Sequence, residues 1–275
     1  DGIRDHCVTG VQTCALPISK VKLKVATLNV AGLNDTTNKK LGGLLRWANE
    51  INLDILCIQE HNGGQDKLVP WKNQAHRAGF CLALGADRGS SVRGGTAILA
   101  KKSTFGLENE DSSVHCEFSG RLTRLKVSWE GKQLTFISMY VPVQPEKRKE
   151  FLVKLQRAGA LSKNAIAMGD FNCVENEQLD VRYAEDRDTV YDNAHHGLLM
   201  MLLARAKLGD VFRKVHGPTA TCYTRECKTV RTRLDRIYST EYSSDIVWHS
   251  HALDDKYAKN ITTDHEPVVA RSEEH

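Results

Sequence analysis

The 275-residue chain contains no apolar run of the 18 or more residues a membrane helix needs; its longest spans residues 197–204, which excludes an integral membrane protein built of helices. It has no compositional bias either. Hydrophobic residues make up 41% and charged residues 26%, a globular balance that excludes a disordered or collagen-like chain. No strong charge of either sign is present: the formal net of +4 permits an anionic partner without demanding one. There is no repeat, no low-complexity linker, and no apolar core behind the acidic start that would read as a secretory signal. The length is long for one domain and short for two.

The two ends read differently from the rest. Residues 8–18 back-translate to a sequencing-library adapter, and residues 1–5 to the primer segment upstream of its index. Residues 271–275 back-translate to the start of the partner adapter. Residues 1–19 and 271–275 are therefore expected to be non-native and outside the fold, with residues 20–270 forming one domain whose natural termini lie beyond both ends. The two segments hold two arginines and four acidic residues, so the remainder carries +6. It also keeps six cysteines: Cys57, Cys81, Cys116, Cys173, Cys222 and Cys227. They are scattered, mostly in apolar strand-like settings, which suits free thiols in a reducing compartment rather than a disulfide framework. Cys222, Cys227 and His216 lack a second close pair, so no zinc is expected.

Hydrophobic periodicity predicts strands over 21–28, 53–59, 81–84, 94–100, 165–168, 234–238 and 267–270. Residues 121–129 and 133–141 flank Glu130-Gly131-Lys132 and read as a hairpin. Helices are predicted over 41–51, 146–158 and 196–207, with a further helix ending near 75–80. Hairpins mixed with a few helices, without a regular βαβ rhythm, indicate an α/β fold: two packed mixed sheets flanked by helices, a four-layered α/β sandwich.

Reactive residue types fall where the apolar runs stop: Asn29, Glu60, Tyr140, Asp170 with Asn172, Asp235, and Asp264 with His265. Strand ends are where a rigid scaffold presents functional groups. A hard divalent cation takes one or two carboxylates and leaves room for water and phosphate; Glu60 is the foremost ligand candidate. A carboxylate such as Asp170 can orient or deprotonate water, and a histidine held by a carboxylate, as His265 by Asp235, can oppose charge growing on a phosphate. Asparagine amides donate to phosphate oxygens without adding negative charge. The set fits metal-assisted phosphoester hydrolysis.

In order, Thr27-Leu28-Asn29-Val30-Ala31-Gly32-Leu33, Ile58-Gln59-Glu60, Met139-Tyr140-Val141-Pro142, Gly169-Asp170-Phe171-Asn172, Arg233-Leu234-Asp235-Arg236-Ile237 and Thr263-Asp264-His265-Glu266-Pro267 resemble the endonuclease/exonuclease/phosphatase superfamily over nearly all of residues 20–270. The resemblance implies Mg²⁺, with Mn²⁺ as a substitute, at Glu60 with Asn29 near it and Asp264 at the metal or water position. It implies Asp170 as the water-activating base and Asn172 as a phosphate contact. His265 is implied as a second phosphate contact oriented by Asp235, and Tyr140 as a contact to the phosphate or leaving oxygen. Thr263 stands where the family usually has serine, and keeps the hydroxyl.

Within the superfamily, Asn29–Leu33, Gly169–Val174 and Thr232–Tyr238 look most like the endonuclease domain of LINE-type non-LTR retrotransposons, as do residues 208–213 and 220–224. Arg225 replaces the aromatic residue of a Tyr-Thr-aromatic motif. This branch implies nicking of double-stranded DNA to leave a 3′-hydroxyl that primes reverse transcription, a fused reverse transcriptase, and an intracellular site of action, nuclear when acting on DNA, with no membrane. The +6 charge suits DNA phosphates, and Arg93, Arg121, Arg124, Arg231, Arg233 and Arg236 are the candidate contacts, Arg236 foremost because it adjoins Asp235. The loops over 175–193 and 226–231 are expected to set target sequence. Alternatives are an apurinic/apyrimidinic-site repair nuclease resembling exonuclease III, a phosphatase or sphingomyelinase-like phosphodiesterase, and a catalytically inactive binding domain.

Overall fold

A computed structural model describes residues 22–33, 38–85, 94–107, 114–118, 120–161, 164–184, 191–240, 247–252 and 263–273. Its helices are α1 (Lys39–Glu50), α2 (Leu68–Arg77), α3 (Lys102–Phe105), α4 (Pro145–Arg157), α5 (Glu177–Asp180), α6 (His196–Arg205) and α7 (Val211–His216). Its strands are β1 (Lys24–Asn29), β2 (Ile55–Gln59), β3 (Phe80–Gly85), β4 (Thr96–Lys101), β5 (Val114–Glu117), β6 (Leu122–Trp129), β7 (Lys132–Tyr140), β8 (Ala165–Asp170), β9 (Val181–Tyr183), β10 (Leu208–Asp210), β11 (Arg225–Glu226), β12 (Val230–Thr232), β13 (Asp235–Thr240), β14 (Val247–Ala252) and β15 (Val268–Glu273).

One sheet runs β14-β15-β1-β2-β4-β3 and the other β10-β13-β8-β7-β6-β5, with β11-β12-β9 forming a small third sheet. The period-two alternation of the strands decides the layers. Val25, Ile55, Cys57, Ile98 and Ala100 face Val127, Phe136, Ile166, Met168 and Ile237 across the gap between the two large sheets. Their sequence neighbours Ala26, Leu28, Leu56, Ile58 and Leu99 face outward, against Leu41, Leu44, Trp47 and Ala48 of α1 and Trp71 of α2. On the far side Ile137, Met139, Ala165 and Ala167 meet Phe151, Leu152 and Leu155 of α4 and Leu199, Leu202 and Leu203 of α6. This is the expected α/β sandwich: two mixed sheets flanked by helices.

Each large sheet contains one parallel pair among antiparallel neighbours: β1 with β2, and β7 with β8. Parallel strands end at the same edge, so Asn29 pairs beside Gln59 and Tyr140 beside Asp170. Strand β13 begins at that edge, with Asp235 opposite Asp170. A polar seam ties the sheets just below: Gln59 Nε2 donates to Ser138 Oγ at 3.0 Å, and Ser138 Oγ donates to the Ile58 carbonyl at 3.0 Å.

The hairpin turn is Glu130-Gly131, with positive φ at both residues, as a right-twisted two-residue turn requires; Lys132 already belongs to the strand. Residues 271–273, expected to lie outside the fold, instead extend β15. Antiparallel pairing asks only for backbone, and Ser272 suits the place: its buried Oγ accepts from the Leu23 N–H at 2.7 Å. The short strands β9–β12 and β14 and the short helices were not anticipated.

Candidate active site

The site occupies the shared strand edge. Asn29 closes β1, and its Oδ1 accepts from the Ala31 N–H at 3.1 Å. That fixes the Nδ2 end, which donates to Glu60 Oε1 at 2.9 Å and to Asp170 Oδ2 at 3.0 Å. Glu60 takes a left-handed backbone (φ 54°) immediately after β2, turning out of the strand, and its carbonyl accepts from Gly32. Asp170 ends β8 and is buried. Its Oδ1 accepts from the Asn172 N–H at 2.9 Å, and burial followed by the charge of Asp235 lifts it to about 6.

Asn172 was expected to hold phosphate. Its amide donates to the Val141 carbonyl at 2.9 Å and to Asp170 Oδ2 at 3.2 Å, which orients the aspartate and the strand end beside it. Tyr140 ends β7 with its ring buried beneath the Arg121 guanidinium, 5.0 Å from the ring centre. Burial and then the adjacent Glu60, which accepts from its hydroxyl, hold the phenol well above its ordinary range, so Tyr140 is a hydrogen-bond donor.

On the opposite wall, His265 Nδ1 donates to Asp235 Oδ2 at 2.7 Å. Thr224 Oγ1 donates to the same oxygen at 2.8 Å and accepts from the Leu234 and Asp235 N–H groups, locking the carboxylate. Burial pulls the imidazole down, but the charge and hydrogen bond of Asp235, with Asp170 behind them, push it up to about 9. Its free face, Nε2, lies 3.9 Å from Asp170 Oδ2 and 3.9 Å from Asp264 Oδ1. Thr263 uses its hydroxyl twice, donating to the Asn29 carbonyl at 2.8 Å and accepting from the His265 N–H at 3.2 Å. Asp264 is 45% exposed; burial opposes its ionisation, but the Arg225 hydrogen bond and the His265 charge hold it below the usual carboxylate range.

The donor set fits a divalent cation. Glu60 and Asp170 are held close by one amide, and oxygen-only donors suit hard ions of the Mg²⁺ and Mn²⁺ type. Asp170, Asp235 and His265 also place ligand atoms within 4.8 Å of one another. However, the Asp235 and His265 atoms that meet are already bonded to each other, which makes that trio a proton-handling set more than a cage.

Two of the expected DNA contacts are corrected. Arg233 is 2% exposed, bonded to Asp180 at 2.8 Å and Asp210 at 2.5 Å. Arg236 is 1% exposed, donates to the Cys173 carbonyl, and lies over Phe171 and Tyr238. Neither reaches solvent. The strand alternation that aims Asp235 at the cleft turns Arg236 to the opposite face, where it clamps the loop after Asp170. Arg93 lies outside the described residues. Arg231 is exposed but paired with Glu226. Sequence reasoning assigned no role to Thr224 or Arg225; the motif that contains them was the only signal.

The chain matches the endonuclease/exonuclease/phosphatase family over residues 26–265. Its fold is similar to the apurinic/apyrimidinic (AP) endonuclease LMAP from Leishmania major, at 18% identity over 92% of this chain and 88% of that one, with a TM-score of 0.67. It is similar to an AP endonuclease from Archaeoglobus fulgidus, at 25% identity over 90% and 98%, TM-score 0.66. It is also similar to the endonuclease domain of TRAS1, a telomere-specific non-LTR retrotransposon, at 16% identity over 92% and 98%, TM-score 0.60.

Proposed function

The chain belongs to the endonuclease/exonuclease/phosphatase family of metal-dependent phosphoester hydrolases, and from that premise we propose that it is a Mg²⁺-dependent DNA endonuclease that nicks target DNA for a non-LTR retrotransposon, leaving a 3′-hydroxyl. The observation that carries the chemistry is the facing pair. The buried carboxylate of Asp170 and the cleft-side Nε2 of His265 lie 3.9 Å apart, each oriented from behind by other side chains.

Asp170 takes the proton from the attacking water: near neutral pH it is ionised, yet basic enough to accept. His265 enters protonated, and its Nε2–H opposes the charge that builds on the phosphate. Asp235, itself fixed by Thr224, keeps that imidazole in one orientation and carries the balancing charge. Tyr140 donates to phosphate or leaving oxygen from its buried position under Arg121. Glu60, its carboxylate positioned by the Asn29 amide, would hold the cation, with Asp264 at the metal or water position. When bound, that cation supplies Lewis-acid neutralisation of phosphate charge.

The retrotransposon assignment is supported by the motif likeness around Asn29, Asp170 and Asp235 and by the fold shared with the TRAS1 domain. A reverse transcriptase fused in the full-length protein and a nuclear site of action belong to the same reading. Repair of abasic sites is the second reading, favoured by the 25% identity to the archaeal AP endonuclease; the segment Tyr223-Thr224-Arg225 offers little aromatic surface for a bare sugar.

The test is nicking of supercoiled plasmid with Mg²⁺ and with chelator, beside Asp170→Ala. Open circles that form only with metal, are lost in the variant and can be extended by a polymerase support the nickase. Cleavage confined to depurinated plasmid moves the assignment to repair. No cleavage of either plasmid refutes both.

A further inference from the structure

Arg225 is placed beside His265 by main-chain pairing. The two residues form an isolated antiparallel bridge, flanked by Glu226 N–H to the Asp264 carbonyl at 3.3 Å and Glu266 N–H to the Thr224 carbonyl at 2.7 Å. Residues directly opposite in an antiparallel pair project their side chains to the same face. The guanidinium therefore lies next to the imidazole that meets the phosphate. Its Nε donates to Asp264 Oδ2 at 2.9 Å, and among the described residues this is the only acceptor it engages. The two terminal nitrogens of the fork remain. The side chain is 37% exposed, and its partner Asp264 is 45% exposed. An ion pair so open to water is weak and readily exchanged. Arg233 and Arg236, by contrast, are buried, with their guanidinium groups held in the interior.

We propose that Arg225 is a phosphate-binding residue of the active site, whose guanidinium takes a non-bridging oxygen of the DNA backbone next to His265 while Asp264 holds it ready in the free enzyme. This rests on the nuclease reading. A planar fork can grip a phosphate through two parallel hydrogen bonds, which an ammonium cannot. Asp264 accordingly has a second part: it parks a cation at the cleft mouth that would otherwise be mobile.

The test measures binding of a fluorescein-labelled DNA duplex to the full chain by anisotropy, with chelator present so that no strand is cut, across a series of salt concentrations. Each phosphate contact adds about 0.9 to the slope of log affinity against log salt. Arg225→Gln is expected to lower that slope by about one contact's worth and Arg225→Lys to keep the slope while binding more weakly. Asp264→Asn, which frees the guanidinium and removes a negative charge, is expected to tighten binding. A Gln variant with the parent slope overturns the proposal, and so does an Asn variant that binds no more tightly; the Asn variant also decides the matter if the Gln variant fails to fold. A parent chain whose duplex binding is insensitive to salt overturns the DNA reading itself. A salt-sensitive parent with an unchanged Gln variant overturns only the role of Arg225.

Discussion

Asp170 is a buried carboxylate facing the charge of Asp235, a conflict relieved by His265, Asn29 and Asn172. The pH dependence follows in sign. Asp170 works as a base only when ionised, so activity rises as pH climbs through about 6, or lower once a bound cation adds positive charge. His265 works only when protonated, so activity falls as pH climbs through about 9. A bell-shaped single-turnover nicking rate is expected; a rate flat across that interval would remove Asp170 and His265 from these roles. The buried arginines obey a different rule. Arg233→Met strands Asp210 as a buried charge without its cation and leaves Asp180 with Arg213 alone, and a loss of about 3–5 kcal/mol in denaturant unfolding is expected. Stability unchanged by that substitution would show the cluster to be dispensable. Asp170, Asp235 and His265 were legible in the sequence because polar residues interrupt apolar runs there. The burial of Arg233 and Arg236 was not, because charge alone does not say which face of a strand a side chain takes.

At the scale of elements, the site exists because two parallel pairs end at one edge. Gly169 is the position at which this is most exposed to change. An ideal Cβ there would lie 1.9 Å from the Met139 carbonyl oxygen, so β8 can sit against β7 only if residue 169 has no side chain. Gly169→Ala should force the strands apart and shift Asp170. The expected cost is about 1–3 kcal/mol of stability and, through misplacement of the base, about 100-fold in nicking rate. Chemical denaturation and single-turnover kinetics on the same variant check the two effects separately. At the other end of the first sheet, Ser272→Ala would leave the buried Leu23 N–H without its acceptor, costing about 1–3 kcal/mol; an unchanged melting temperature would show that β15 needs only its backbone. The long strands and helices were readable from periodicity. Strands of two or three residues, such as β11 and β12, carry too few residues to show a period, and it is β11 that places Arg225 against His265.

For the molecule as a whole, a cation that binds the folded site and not the unfolded chain must stabilise the fold by mass action, about 2.7 kcal/mol at a hundredfold excess over its dissociation constant. Added Mg²⁺ or Mn²⁺ is therefore expected to raise the melting temperature reversibly to chelator. Glu60→Gln is expected to abolish most of the rise while leaving the metal-free protein about as stable, because the amide keeps an oxygen to accept from Asn29; an equal rise in the variant would move the metal elsewhere. The order of apolar and polar residues along the chain determined the sandwich, its sheet-forming segments and the identity of the reactive side chains, since burial period and strand termini are local properties of the sequence. Only the tertiary structure decided which of those groups meet. The distances between Asn29, Glu60, Asp170 and His265 depend on two sheets stacking in one register. The solvent access of each arginine depends on which side of β13 faces the core, and the neighbour of His265 depends on a pairing between segments far apart in the chain. Those are consequences of packing across long sequence separations, which no local pattern contains.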